Sequence, residues 1–228
     1  MSLYLFTTFI SFIFHFLLIV PFINFLYKTK FQRANQATKD AFDKPTPIFD
    51  ALHKHKSGIP VGGGILIVAV TSILYVFFLF MSILFNNDFH SNYQPAIGEI
   101  KIIMFTFISF AFLGIYDDLT KIFFWKKQQF FGMRLRHKLI IELILAFIIS
   151  FWLFHDLGID IINIPFFGVY NISYFYILFS TFVIVAFSNA VNITDGLDGL
   201  ASGVLMIALG CFWVISRTII DVPTSIFI

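Results

Sequence analysis

The sequence predicts an all-α membrane protein, a polytopic bundle of six transmembrane helices whose cytoplasmic loops carry the functional residues. The chain of 228 residues is 59% apolar, contains 34 Phe and has only 12% charged residues, unlike the composition of a soluble domain. Six apolar runs are long enough to read as membrane helices. Six such runs in series argue against a soluble fold. Most Lys and Arg residues lie on alternate loops, as is typical of a membrane protein with a fixed orientation.

The predicted spans cover most of the chain and leave one long polar segment. They are roughly Leu3–Tyr27, Val61–Phe85, Ile102–Tyr116, Leu139–His155, Ile172–Thr194 and Gly199–Ser216. The third run of fifteen residues makes about 22 Å of helix against a hydrocarbon core of roughly 30 Å. We therefore expect the residues that follow it to lie at or slightly within the interface. The polar segment Lys28–Pro60 has room for one short interfacial helix, and residues 1–228 form a single integral-membrane domain.

The distribution of basic residues predicts the orientation of the chain. Thirteen of the fifteen Lys and Arg residues follow the first or the third span, and only Lys101 and Arg217 lie on the opposite loops. Positively charged loops favour the cytoplasm. The first loop, the third loop and the turn at Asn192–Asp198 are therefore predicted to be cytoplasmic, with both termini outside.

The most informative segment is NAVNITDGLDGLA, Asn189–Ala201, where a long apolar run meets water. It contains Asp195 and Asp198, which are three residues apart and would share one face of a helix, together with Asn189 and Asn192. Carboxylates at a membrane edge are costly to hold and indicate a functional site. If Thr194 or Asp195 merely caps the helix of the sixth span, one aspartate is explained, but the other aspartate and both asparagines are not.

A second acidic motif, Asp117–Asp118, ends the third apolar run on the same predicted side. Adjacent helical residues point about 100° apart, so this pair cannot hold one ion without irregular backbone. We expect one carboxylate to bind or orient a ligand while the other faces Lys121 or the loop. Two acidic motifs on one membrane face favour metal-assisted chemistry on a phosphate. The candidate catalytic residues are Asp117, Asp118, Asp195 and Asp198, and the first three are candidate metal ligands.

Two basic segments on the same predicted side suit an anionic ligand. In HKHKSGIPVGGG, Lys54 precedes a glycine run at the start of a helix, where exposed N–H groups bind anions, although small residues also permit close packing of membrane helices. Lys138 lies at the start of the fourth span, although positive-inside anchoring accounts for most of its basic neighbours. The candidate substrate-binding residues are Lys54, Gly63, Gly64, Lys138, Asn189 and Asn192.

Taken together, three motifs resemble the polyprenyl-phosphate N-acetylhexosamine-1-phosphate transferase superfamily. They are GIPVGGG at Gly58–Gly64, YDDLTK at Tyr116–Lys121, and NAVNITDGLDGLA. The last motif is highly specific, and its Thr194 favours the peptidoglycan branch, the phospho-N-acetylmuramoyl-pentapeptide transferases, over the GlcNAc branch. Ile59 and Val61 depart from the GTPTMGG pattern of the family, so a hydroxyl contact to substrate at Ile59 is lost or replaced.

The resemblance implies a Mg²⁺-dependent transferase of the bacterial inner membrane with its active face in the cytoplasm. Such an enzyme moves phospho-N-acetylmuramoyl-pentapeptide from its UDP carrier to undecaprenyl phosphate, giving lipid I and UMP. Its partners are therefore a UDP-linked amino sugar, undecaprenyl phosphate and the bilayer, without nucleic acid and with a homodimer left open. The family continues with four more spans, a later metal-binding aspartate and a His-rich loop. We therefore expect this chain to be an N-terminal portion, truncated at the C-terminus, and inactive alone.

Other functions stay open at this point. One alternative is a transferase for UDP-GlcNAc or a related UDP-linked hexosamine, and another is a non-catalytic membrane fragment. A transporter or channel should carry its acids mid-span rather than at one interface. A prenyltransferase should show DDxxD-type spacing, which neither acidic motif has.

Overall fold

The computed structural model describes residues 2–32, 47–52, 58–84, 91, 96–123, 135–195, 199–218 and 222–228. Within these ranges, six helices are long and apolar enough to cross a membrane, which confirms the predicted all-α membrane fold. They are α1 (Ser2–Lys28), α3 (Gly64–Leu84), α4 (Ala96–Phe123), α5 (Leu135–His155), α6 (Phe175–Thr194) and α7 (Leu200–Thr218). Helices satisfy every backbone hydrogen bond within the segment, which the bilayer interior requires.

Four short elements complete the described part of the chain. The short helix α2 (Pro47–Leu52) lies in the long polar segment, as expected, and α8 (Val222–Phe227) follows α7. Between α5 and α6, strands β1 (Ile161–Ile164) and β2 (Gly168–Asn171) form an antiparallel hairpin. This hairpin was not predicted.

The hairpin also shifts the start of the fifth span, which was predicted at Ile172. Helix α6 begins at Phe175 instead. The reason is local, because the N–H groups of Ile172 and Ser173 donate to the carbonyl of Asp160, at 2.9 and 3.2 Å. These hydrogen bonds close the base of the hairpin, so the apolar residue at 172 belongs to the turn and not to the helix.

The prediction of a short third span is wrong. Helix α4 has 28 residues, and its membrane-crossing part runs over 25 residues, Ala96–Thr120. The apolar run stops at charged residues, but helix propagation depends on backbone hydrogen bonds that these side chains do not interrupt. At 1.5 Å per residue this segment is about 37 Å long, so it is not short for a bilayer.

The described chain forms two compact units, whose boundaries fall inside α3, α4 and α5. The first unit comprises Met1–Leu74 and Phe107–Ile140, and the second comprises Tyr75–Thr106 and Ile141–Ile228. In the first unit, the Val61 N–H donates to the Phe31 carbonyl at 3.0 Å, and a β-bridge pairs Gln32 with Pro60. The chain leaving α1 is therefore held beside the chain that leads into α3.

In the second unit, hydrogen bonds connect α8 to α7 and α4. The hydroxyls of Ser216 on α7 and Ser225 on α8 lie 2.9 Å apart in a buried position. Glu99 of α4 is buried and accepts hydrogen bonds from the hydroxyls of Thr224, at 2.5 Å, and Ser91, at 2.6 Å. Because a buried carboxylate must be hydrogen-bonded to be tolerated, these hydroxyls explain how Glu99 is held there.

An ion pair joins the start of α4 to the segment after α5. The carboxylate of Asp156 accepts a hydrogen bond from Lys101 Nζ, and His155 Nδ1 lies 2.9 Å from its other oxygen. Lys101 Nζ also lies 4.3 Å from the centre of the Trp152 ring. The hydrogen bond from Lys101, followed by that from His155, holds the pKa of Asp156 below its ordinary value of 3.8.

We predict that Lys101→Met reduces the acid sensitivity of the protein. A lowered pKa in the folded state means that the pair stabilises the fold above the ordinary carboxyl pKa, and that this contribution is lost as the pH falls through the lowered value. The pair is exposed, so the effect is small. Thermal unfolding in detergent at pH 7 and at about pH 3 should show a smaller acid-induced loss in the variant. The same loss in both proteins would contradict this role.

Candidate functional site

The first acidic motif lies within a regular helix. Asp117 and Asp118 are half-buried residues of α4, which continues to Phe123, and the Thr120 hydroxyl donates to the Asp117 carbonyl at 2.8 Å. The helix therefore continues past the pair, although the apolar run stops there. Because the backbone is helical, the two carboxylates diverge by about 100°, which suits separate roles for them.

The second acidic motif begins where α6 ends. Asp195 is the C-cap residue of α6 and its N–H donates to the Val191 carbonyl at 3.1 Å. It therefore does not cap the following helix, α7, which starts at Leu200 after Gly199 in a left-handed conformation with φ +83°. The Asp195 side chain is exposed.

The position of Asp195 has an electrostatic consequence. The last carbonyls of a helix carry partial negative charge equivalent to roughly half an elementary charge. A carboxylate at that end is unfavourable for the helix and creates a point of negative potential that attracts a cation. Asp198 lies outside the described residues, so its sharing of a helical face with Asp195 stays a prediction.

The asparagines of the motif lie in the last turns of α6. Asn192 is exposed, and Asn189 is half-buried. The Asn189 amide nitrogen donates to the Glu142 carboxylate at 2.6 Å and to the Val185 carbonyl at 2.9 Å. Glu142 lies on α5 and is 1% exposed. No role for Glu142 was predicted from the sequence, although a lone carboxylate in an apolar helix, four residues after Lys138, is a signal of function.

The glycine motif forms the start of α3. Gly63 and Gly64 are exposed, and α3 begins at Gly64. The N–H groups of Ile65 and Leu66 donate to the carbonyls of Gly62, at 3.0 Å, and Gly63, at 3.2 Å. These amides are therefore engaged, and the candidate amides for an anion are those of Gly63 and Gly64. Of the two candidate lysines, Lys138 is half-buried in the first turn of α5, and Lys54 lies outside the described residues.

The oxygen-rich donor set fits Mg²⁺. Among the described residues, no three His, Cys, Asp or Glu side chains are grouped as a complete metal site. Mg²⁺ is usually held by one or two carboxylates together with substrate phosphates and water, so a complete protein cage is not needed. Asp195 with one of the two α4 aspartates would supply such carboxylates. The two motifs belong to different units, and their convergence on one cleft stays a prediction.

A comparison with protein families decides the classification. The model of glycosyl transferase family 4 matches residues 100–228, more than half of the chain. The chain belongs to glycosyl transferase family 4. The matched range contains both acidic motifs as well as Lys138 and Glu142, so the family assignment and the candidate site rest on the same part of the sequence.

Family members with sequences similar to this chain are phospho-N-acetylmuramoyl-pentapeptide transferases, which confirms the resemblance seen in the motifs. The one from Caldanaerobacter subterraneus is 34% identical over 176 residues, which cover 77% of this chain and 50% of that protein. Those from Streptococcus pneumoniae and Rickettsia akari are 36% and 38% identical over 72% of this chain, and over 45% and 42% of their own lengths. The chain thus spans about half the length of these relatives.

We predict that Gly62→Ala destabilises the first unit of this family 4 protein. Gly62 has φ +90°, and a Cβ there would lie 2.8 Å from Phe31 Cε1. The left-handed conformation costs a non-glycine residue about 1–2 kcal/mol, and the contact with Phe31 adds to this. Thermal unfolding in detergent measures the change.

The neighbouring glycine provides the matched control. A Cβ at Gly63 meets no atom within 4 Å, so Gly63→Ala should change the free energy of unfolding by less than about 0.5 kcal/mol. Adding Phe31→Ala to Gly62→Ala should relieve the contact but not the backbone strain. Equal stability of the Gly62 and Gly63 variants would show that the left-handed turn is not required.

Proposed function

We propose that this chain belongs to an enzyme that transfers phospho-N-acetylmuramoyl-pentapeptide from UDP to undecaprenyl phosphate, giving lipid I and UMP. The observation that carries the proposal is the similarity to phospho-N-acetylmuramoyl-pentapeptide transferases over 72–77% of the chain. The motif NAVNITDGLDGLA supports the same choice, because Thr194 favours this branch. A transferase for UDP-GlcNAc is not favoured by these relatives.

The proposed reaction needs charge neutralisation and alignment more than a strong base. An oxygen of undecaprenyl phosphate attacks the sugar-linked phosphorus of the UDP-sugar, and the bond from that phosphorus to the bridging oxygen breaks as UMP leaves. Phosphoryl transfer of this kind depends on positioning and electrostatic stabilisation. Mg²⁺, when bound, would neutralise pyrophosphate charge.

The residues of this chain would divide the remaining tasks. The cation would be held by Asp195 and one of the α4 aspartates, Asp117 or Asp118. Asp198 would add a further negative charge beside it.

The phosphate oxygens would be bound by Lys138, Lys54 and the amides of Gly63 and Gly64. N–H groups at a helix start favour anions. Asn189 and Asn192 would contact the UDP-sugar. A lipid substrate explains why Asp195, Lys138 and Gly64 lie at the ends of membrane helices.

We propose that the active face is cytoplasmic in the bacterial inner membrane, as the distribution of basic residues indicates. Cys211 is the single cysteine, so Cys211→Ser gives a clean background for labelling. A cysteine at Lys126 should react with an impermeant maleimide only from the cytoplasmic side. A cysteine at Phe166, in the exposed turn of the hairpin, should react only from the outside. Labelling of position 126 from the outside would overturn this orientation.

We predict that Asp117→Asn, Asp118→Asn and Asp195→Asn each lower turnover by about 100-fold or more, which corresponds to about 2.7 kcal/mol of transition-state stabilisation. Each removes a charge that would neutralise or position the reacting phosphates. The assay measures UMP release from UDP-N-acetylmuramoyl-pentapeptide with undecaprenyl phosphate in detergent. It uses a chimera in which this chain is followed by the remainder of the Caldanaerobacter relative.

Four controls accompany the assay. The 228-residue chain alone should release no UMP, EDTA should abolish release by the chimera, and Mg²⁺ should restore it. Unfolding midpoints close to wild type should show that the variants are folded. Full activity in all three variants would refute the site assignment, and a chimera that is active without divalent cations would refute the metal.

A further inference from the structure

Glu142 is the most deeply buried acidic side chain among the described residues, and it contacts Asn189 of the motif NAVNITDGLDGLA. It is 1% exposed and lies in the second turn of α5, within an apolar helix. A buried carboxylate is tolerated only when its oxygens are hydrogen-bonded. The amide nitrogen of Asn189, 47 residues away in the sequence, donates to Glu142 Oε2 at 2.6 Å.

This contact determines which atom Asn189 can offer to a ligand. A backbone carbonyl only accepts hydrogen bonds, so the Val185 carbonyl, 2.9 Å from the Asn189 amide nitrogen, requires the NH₂ group on that side. Glu142 Oε2 takes the second N–H at 2.6 Å. Both amino hydrogens are then used, and the amide oxygen Oδ1 is the atom left to bind a ligand.

We propose that Glu142 is a positioning residue: it locks the Asn189 amide so that Oδ1 serves as a hydrogen-bond acceptor for an N–H or hydroxyl of the UDP moiety. This inference rests on the proposed function, because it assumes that the motif containing Asn189 binds the UDP-sugar. Glu142 itself is too buried to touch substrate. Its effect is transmitted through Asn189, and a fixed acceptor binds better than a rotating amide because less freedom is lost on binding.

A double-mutant cycle on the 228-residue chain tests the pair without reference to activity. Asn189→Asp places a carboxylate against Glu142 and should lower the unfolding midpoint in detergent. Glu142→Gln removes this repulsion, and its amide can donate to the new aspartate. The midpoint of the double variant should therefore exceed that of Asn189→Asp, a non-additive result expected only for side chains in contact.

UDP binding to the same chain, measured by titration calorimetry with Mg²⁺ present, tests the positioning role. Glu142→Leu removes the acceptor that holds Asn189 and should raise the Kd for UDP roughly tenfold, as expected when one well-placed hydrogen bond from UDP to Asn189 Oδ1 is lost. Glu142→Gln keeps an acceptor oxygen and should bind UDP within about twofold of wild type. Ser150→Ala, in a buried position on the same helix, is the matched control and should leave the Kd unchanged.

The outcomes separate this proposal from the proposed function. Wild-type chain that binds no UDP would count against the proposed function and remove the ligand assigned to Asn189. Wild-type binding with an additive double-mutant cycle would show that the pair does not exist. A third outcome is coupling in the cycle together with an unchanged UDP Kd for Glu142→Leu, measured below the unfolding midpoint of that variant. This result would show that the contact is purely structural and would overturn the positioning role.

Discussion

The bilayer allows no unsatisfied backbone hydrogen bonds, and this constraint determines where the chemistry of the protein can lie. Each span must be a helix, and charged side chains within a span are costly. The acidic motifs accordingly lie near helix ends: Asp117 and Asp118 stand near the end of α4, and Asp195 is the C-cap of α6. The phosphate of a lipid carrier belongs at the membrane surface, so a site near helix ends also suits the proposed substrate.

The pair formed by Glu142 and Asn189 is the instructive exception. It joins a buried carboxylate of α5 to an amide of α6, and the carboxylate is tolerated because the amide donates to it. Breaking such a buried interaction leaves an unsatisfied group and costs more than the bond contributes. The pair therefore fixes the motif end of α6 relative to α5. A site that must align two phosphates benefits from this rigidity, since misplacement of reacting groups slows phosphoryl transfer.

The membrane architecture could be predicted because apolar runs of sufficient length have few other interpretations, and all six spans were found. Their ends were harder to predict. The apolar run of α4 stops at charged residues, but the helix continues through them. In the sequence, the apolar residues of the hairpin run directly into those of α6, so the start of α6 cannot be seen. The lack of space for a side chain at Gly62 depends on Phe31, and the partner of Asn189 is 47 residues away. Such contacts are tertiary, and no local pattern reports them.

We propose that the α4 aspartates and Asp195 bind one cation together with the nucleotide. Titration of the 228-residue chain with Mn²⁺ in the presence of UDP, followed by electron paramagnetic resonance, tests it directly. We expect one tightly bound Mn²⁺ per chain. Asp195→Asn and at least one of the Asp117→Asn and Asp118→Asn variants should weaken binding roughly tenfold or more, because the protein supplies only one or two carboxylates to a Mg²⁺-type site. Mn²⁺ binding that is lost in the α4 variants and unchanged in Asp195→Asn, or the reverse, would show that the two motifs do not share a site.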